Sequence, residues 1–413
     1  MSSSGWQNNK LRDLCTKIGS GATPRGGKES YLDEGSFALI RSQNVLDFFF
    51  SYDGLAHIDE DQANQLSTVE LRERDVLLNI TGDSVARVCQ VPSALLPARV
   101  NQHVSIIRPN ISKLIPEYLK YFLLNPRFKN YMLGLASVGG TRNALTKGMI
   151  EDFEIDLPPL PTQRRIAAIL SALDDKIELN RQTNATLEAI AQAIFKEWFV
   201  EFRFPGATGE MQESELGMIP QGWQVSKLGE IYKTTSGGTP SRSNPEFYED
   251  GTIYWVKSKE LNNSFITETE EKITEDALRK SSAKLLPAYS VLIAMYGATV
   301  GESGIISMEA ACNQAICAFL PNDESPFTFI YHFLKNNKDE IISRAVGSAQ
   351  QNISQDLLKQ IDTVLPPKVL LSQFHKAVNP AFQAIESNIK QIATLAQIRD
   401  SLLPKLMNGE IEV

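Results

Sequence analysis

The chain has 413 residues, of which 42% are apolar, and a formal net charge of −8. That length exceeds what one hydrophobic core usually holds, and the apolar content is enough for two or three packed units, which excludes a disordered chain. The acidic balance argues against a domain that grips nucleic acid unaided, because phosphate neutralisation needs a basic excess.

The longest apolar stretches, such as "SVLIAMYGATVG", fall short of the ~18 uncharged residues of a membrane span, and the first residues lack a basic region followed by an apolar one. The expectation is a soluble, cytoplasmic protein with no membrane partner. Cys15, Cys89, Cys312 and Cys317 are scattered, and His57, His103, His332 and His375 do not join them at metal-ligand spacing. Reduced thiols and no bound metal are expected.

In chain order, residues 1–157 mix short β-type runs ("SFALIRSQNV", "HVSIIRP") with Gly, Pro, Asn and Ser punctuation, as a globular α+β domain does. The Pro-rich stop "LPPLPTQ" then places Thr162 as an N-cap, and residues 158–215 read as a long helix with a linker. Along it Leu173, Ile177, Asn180, Asn184, Leu187, Ala191, Ile194 and Trp198 step by four and three, a heptad seam. "FPGATGE" ends the helix near Glu201. Residues 216–365 repeat the α+β pattern ("TIYWVKSKEL", "AICAFLP"). After "LPPKVLLSQ", with Ser372 as the expected N-cap, residues 366–413 form a second long helix whose seam is Ala381, Ile385, Asn388, Ile392, Leu395, Arg399, Leu402 and Leu406. Arg399 interrupts that seam. Asn180 and Asn388 occupy matching seam positions, where a polar side chain fixes register by facing another polar group.

The two halves are copies. "GWQNNKLRDL" from Gly5 faces "GWQVSKLGEI" from Gly222, and "SGATP" from Ser20 faces "SGGTP" from Ser236. "DVLLNITG" from Asp75 then faces "SVLIAMYG" from Ser290, and "NQHVSIIRPN" from Asn101 faces "NQAICAFLPN" from Asn313. "YLKYFLLN" from Tyr118 faces "FIYHFLKN" from Phe329, and "RNALTKGMIEDFEIDLPP" from Arg142 faces "QQNISQDLLKQIDTVLPP" from Gln350. The offset slides in one direction from 217 to 208, as one duplication with small deletions produces. Two α+β heads are therefore expected on an antiparallel two-helix coiled coil, related by a pseudo-two-fold axis, with ~60 Å of helix holding them apart.

No catalytic constellation emerges. "GATPRGGKE" misses the phosphate-loop spacing and has Glu29 where a Ser or Thr would hold a metal. "DDK" at Asp174–Lys176 sits on the helix, where charges form a solvated face, and "LPPL" and "LPPK" lack the Asn or Asp and the aromatic ring of an amine methyltransferase motif. What recurs is polar. Arg41, Ser42, Gln43 and Asn44 in "IRSQNV" face Lys257, Ser258 and Lys259 in "WVKSKEL", next to a predicted strand and able to contact base edges. Ser84 and Arg87 face Tyr296 and Thr299; Thr141, Arg142 and Asn143 face Gln350, Gln351 and Asn352.

Two heads alternating with two long helices, each copy carrying "GW…KL", "SG(A/G)TP", "NQ…P" and "LPP…Q", closely resemble the specificity subunit of type I restriction-modification systems. "LDDKIELNRQTNATLEAIAQAIFKEWF" is especially similar to that family's first helical repeat. The resemblance implies that each head reads one half of a split double-stranded DNA site through the polar residues just named. It implies that two adenine-N6 methyltransferase subunits bind around the helices, with a motor and nuclease subunit joining for cleavage. S-adenosylmethionine, ATP and magnesium would then belong to those partners, and this chain would carry no cofactor. The competing expectation is a scaffold whose two heads bind proteins, consistent with the acidic balance and the coiled helices.

Overall fold

The computed structural model describes residues 6–137, 143–261, 264–344 and 352–413. It contains two compact units, one formed by residues up to 178 together with 393–413, the other by residues 179–392. Each is α+β.

In the first unit a four-stranded antiparallel sheet runs in the order Cys15–Ser20, Val104–Pro109, Val76–Asn79, Val88–Gln90. A three-stranded sheet places Phe37–Ile40 between Ala56–Ile58 and Ala98–Val100, pairing in parallel with the latter. "VLLN" and "VSIIRP" do not alternate apolar with polar residues because their strands are buried on both faces for most of their length. Gln7–Lys10 pairs with Glu154–Leu157 and closes the head beside the helix Pro116–Leu124. Within the core Asp75 is fully buried, accepting two 2.7 Å bonds from Arg108 and a 2.8 Å bond from the Arg72 amide.

The second unit repeats this plan strand for strand. Thr234–Ser236, Ile316–Phe319, Val291–Ala294 and Ser303–Ile306 form the larger sheet, extended by Phe265–Ile266. Ile253–Val256 lies between Glu271–Ile273 and, in parallel, Ala310–Cys312. Gln7 pairs with Leu157 and Gln224 with Leu365, so the register obeys the offsets read from the sequence. The hairpin Met211–Ser214 with Gly217–Pro220 belongs to this half alone among the described residues. At the positions of Asp75 and Arg108 the second copy has Ser290, whose hydroxyl donates to the Pro287 carbonyl, and the apolar Leu320.

One close approach explains why "SG" persists in both copies. A Cβ on Gly21 would stand 1.9 Å from the Val100 carbonyl oxygen, and one on Gly237 would stand 2.1 Å from that of Cys312. Only hydrogen fits there.

Both long helices have 40 residues, Leu160–Phe199 and Lys368–Met407. Each begins before its expected cap: Thr162 and Ser372 lie inside the first turns. Pro161 and the amide side chain of Gln163 account for the first helix, since the ring is tolerated at a helix start and Gln163 donates to the Pro158 carbonyl at 2.9 Å. Within each unit the segments of the two helices run antiparallel. In the first, Ile166 and Leu170 share a core with Leu403 and Leu406. In the second, Trp198 meets Phe374 at 5.9 Å between rings, and Leu187 and Ile194 pack against the cluster that holds Ile385. As numbers rise along one helix, partner numbers fall along the other. Ile177 and Ile385 are buried, while Leu173, Ile392, Leu395 and Leu402 are half-buried on the same stripe.

The seam asparagines do face polar groups. Asn180, 2% exposed, donates to Gln391 at 2.7 Å, and Asn388 donates to Asn184 at 2.8 Å. Arg399 does not interrupt the packing as its charge suggests. It is buried, lies 3.4 Å from the centre of the Phe48 ring, and pairs with Asp174 at 3.0 Å. Asp174 is correspondingly not part of a solvated face, because Tyr121 donates to it at 2.6 Å and Lys120 at 2.9 Å.

All four thiols are unbridged, and burial pushes each up to about 12. Among the described residues no helix is long and apolar enough to cross a membrane, and no group of three or more His, Cys, Asp or Glu residues could hold a metal ion.

Candidate nucleic-acid interface

In the first head five loops converge. The turn at Arg41–Asn44 follows the strand Phe37–Ile40, and Asn79, at the end of its own strand, donates to the Ser42 and Val45 carbonyls at 2.8 and 3.2 Å. That bond ties the Arg41 loop to the turn at Gly82, which leads into Ser84 and Arg87, both half-buried. The Gly82 amide donates to the Asn143 carbonyl at 3.0 Å, bringing in the loop that carries the exposed Asn143. Thr141 and Arg142 lie outside the described residues.

The remaining two loops carry residues that sequence reasoning passed over. The Thr23 hydroxyl donates to Gln102 Oε1 at 2.5 Å, and the Gln102 amide reaches His103 Nε2 at 3.0 Å. His103 Nδ1 lies 2.6 Å from the Thr81 hydroxyl. With Nε2 accepting, the proton sits on Nδ1, and one chain of bonds runs from Thr23 through Gln102 and His103 to Thr81. Thr23 and Gln102 are 79 positions apart, so only the recurrence of "TP" and "NQ" could have flagged them.

Two of the sequence-predicted residues serve other ends. Asn44 is fully buried and donates to the Ser51 and Asp53 carbonyls at 3.0 and 3.2 Å while accepting from the Arg41 amide; it shapes the loop and cannot reach a base. Arg41 is partly occupied in the same way, donating to the Gly54 carbonyl and standing 5.3 Å over the Tyr31 ring. Gln43 remains on the surface, with its amide resting on Asp53 and Gly54 carbonyls at 3.3 and 3.2 Å.

The second head builds the same face with different chemistry. Thr239 again donates to Gln314, and the Asn313 amide again reaches the strand bearing the basic turn, donating to Val256 as Asn101 does to Ile40. The Ile353 amide donates to the Met295 carbonyl at 2.7 Å, bringing the segment with exposed Asn352 to the start of the loop that carries half-buried Tyr296 and Thr299. Gln350 and Gln351 lie outside the described residues. Ser258 is half-buried in the turn. Lys257 and Lys259, however, are not free cations: Lys257 meets Glu270 at 2.7 Å and Glu271 at 3.1 Å, and Lys259 meets Glu270 at 2.7 Å. Bonds from Lys257 and Lys259 hold the Glu270 carboxyl down to about 2. For Glu271, burial opposes ionisation, but Arg242 and Lys257 outweigh it and keep the carboxyl below its ordinary range.

A carboxylate depressed in the folded state contributes stability above its ordinary pKa and loses it as pH falls through the folded value. For Glu270 the window therefore runs from the ordinary 4.5 down to about 2. Lys257→Ala should move the Glu270 titration up towards 4.5 in a carboxyl-detected NMR titration, leaving Lys259 as the remaining donor.

Duplicated α+β heads, each presenting a matched polar face of convergent loops and each packed on two antiparallel helix segments, define a two-headed recognition protein. Its heads share a plan and differ in what they offer a ligand. The chain belongs to the type I restriction modification DNA specificity domain family, whose pattern matches residues 3–189 and 220–373. It is 28% identical over 402 residues to the type I restriction enzyme HindI specificity subunit of Haemophilus influenzae, covering 83% of this chain and 87% of that one. It is 29% identical over 417 residues to the MjaIX specificity subunit of Methanocaldococcus jannaschii, covering 99% and 94%. The crystal structure of the type I restriction-modification S subunit from M. genitalium shares the fold, with a TM-score of 0.62 at 17% identity over 97% of this chain and 96% of that one. In such a system the chain is the DNA sequence-recognition component and not the catalytic one.

Proposed function

We propose that the first head reads one half of a split, asymmetric double-stranded DNA site and the second head reads the other. The observation that carries this is the divergence of chemistry on a retained frame. Thr23–Gln102 and Thr239–Gln314 keep the same place in both heads, while Arg41, Gln43 and His103 of the first give way to Lys257, Lys259 and Ala315. A symmetric dimer reads a palindrome; unlike heads on one chain read unlike half-sites. Ser84, Arg87, Thr141, Arg142 and Asn143 complete the first reading face, and Ser258, Tyr296, Thr299, Gln350, Gln351 and Asn352 the second.

The helix pair supplies the spacer, and two adenine-N6 methyltransferase subunits bind around it, joined for cleavage by a motor and nuclease subunit. Those partners carry S-adenosylmethionine, ATP and magnesium, and the complex works in the cytoplasm. They also supply the phosphate contacts that a chain of charge −8, with Lys257 and Lys259 already paired, lacks.

The test is a map of methylated adenines in cells expressing this chain with its methyltransferase. A bipartite, non-palindromic motif is expected. Replacing residues 1–157 with another such head should change one half of that motif and leave the other, and one heptad inserted in each helix should lengthen the gap between halves. Loss of both halves after head replacement, or an unchanged gap, would contradict the proposal.

A further inference from the structure

The two units hold their heads to the helices by different chemistry, and the difference is coordinated across several chain segments. In the first unit the apolar contact between the helix Pro116–Leu124 and the long helices carries a buried ionic centre. Asp174 is the hub, accepting from Lys120, Tyr121 and Arg399, all of them buried. Lys120 is 6% exposed, so its ammonium depends on that carboxylate.

The duplication places a counterpart opposite each of these residues. By the offset that pairs Tyr118 with Phe329, Lys120 and Tyr121 correspond to Tyr331 and His332. By the offset that pairs Ile177 with Ile385, Asp174 corresponds to Phe382 and Arg399 to Ala191. The second unit assembles this set at the same place, with the helix Phe327–Asn336 against the long helices. Tyr331 and His332 meet Phe382 edge-on at 5.7 and 5.4 Å, and His332 Nδ1 donates to Gln192 at 2.7 Å. Burial pushes the His332 imidazole down to about 3, so the hub is uncharged. An ion pair borders this hub, Glu188 with Lys335 at 3.2 Å and Lys335 5.2 Å over the Tyr331 ring, but its charges stand at other positions of the repeat: the counterparts of those two residues are Ala396 and buried Leu124.

We infer that these contacts act as a pair of mismatched seats: the ionic seat of the first unit accepts a head bearing a Lys–Tyr pair, and the aromatic seat of the second accepts one bearing Tyr–His. Each head is thereby confined to its own position. A first head on the second seat would bring the Lys120 ammonium against Phe382 and Ala191, with no carboxylate at the position of Asp174. A second head on the first seat would take the Lys120 and Tyr121 donors from Asp174 and leave that carboxylate with Arg399. An unpaired buried charge is the more costly error, because it loses hydration without compensation. The order of half-sites along the DNA would then be set by seat chemistry as well as by chain connectivity.

The test begins in the full-length chain, with urea titration of the first unit. Asp174→Phe alone should lower its folded-to-unfolded ratio by about 100-fold or more, the scale of a broken buried pair. Asp174→Phe, Arg399→Ala, Lys120→Tyr and Tyr121→His together convert the seat to the other chemistry and should recover most of that loss. A quadruple variant no more stable than the single one would overturn the inference. Head exchange supplies the second measurement. A chain whose residues 216–365 are replaced by a second copy of 1–157 should unfold at lower urea in its second unit than the parent. Phe382→Asp with Ala191→Arg should raise that midpoint again. Equal midpoints for parent and exchanged chain would refute the seats, whatever the yield of either.

Discussion

Gly21→Ala is expected to lower the melting temperature of the first unit by roughly 6–12 °C while the second unit melts unchanged. The new methyl group would stand 1.9 Å from the Val100 carbonyl oxygen and 2.4 Å from that of Asn101. Both obstacles are backbone, so no rotamer change relieves them. Nor can the strands part freely, because the Gly21 amide donates to Val104 at 3.0 Å and the Ala22 amide to Val100 at 3.2 Å. Forced overpacking of this kind costs about 3 kcal/mol, which for a unit of this size is a shift of the stated order. Gly237→Ala should do the same to the second unit alone, since its Cβ would stand 2.1 Å from the Cys312 carbonyl oxygen. Calorimetry of each variant, with each transition assigned by limited proteolysis, checks both. A variant that shifts neither transition would show that the strands are not so close.

Asp75→Ser should be among the most damaging single changes in the first head, at roughly 2–3 kcal/mol, because it leaves the half-buried Arg108 guanidinium without its carboxylate, held only by the Glu70 carbonyl. Asp75 is fully buried and holds both Arg108 and the Arg72 amide. The second copy shows how the pair can be dispensed with: Ser290 and Leu320 stand in its place. Asp75→Ser with Arg108→Leu should therefore be far more stable than Asp75→Ser alone, since a neutral pair leaves no charge without its partner. Equilibrium urea unfolding of the two variants and the parent measures the coupling. If the double variant is the less stable, the aspartate's bond to the Arg72 amide, rather than its partner charge, is what the core needs.

Much of the architecture was legible because duplication prints it twice. The offsets that align "GWQ" and "LPP" are the offsets of strand register, so the pairing of Gln7 with Leu157 in one head carries over to Gln224 with Leu365 in the other. The helix seam was legible too, since its period is local to each segment. What stayed hidden are contacts whose partners lie far apart in the chain. Asp174 and Arg399 looked like a solvated charge and a flaw, because nothing near either residue announces Lys120, Tyr121 or Phe48. The polar loop faces proposed to read DNA were half legible for a related reason. Arg41, Gln43, Lys257 and Lys259 are on the expected loops, but Asn44 turns inward and both lysines are paired with Glu270 across the turn. Side-chain type and loop position do not determine whether a polar group points at solvent or at a neighbouring carbonyl. The Thr23, Gln102 and His103 chain was missed because its first link closes over 79 residues.

The last twenty or so residues have a consequence for synthesis on the ribosome. Residues 179–392 form one unbroken stretch, whereas the unit that begins earlier needs Leu403, Leu406 and Met407 to fill its core. Vectorial production therefore finishes the downstream unit first, and the upstream one waits with an open apolar groove until residues 393–413 have emerged. A nascent chain stalled before residue 393 would display that groove to any chaperone near the exit tunnel.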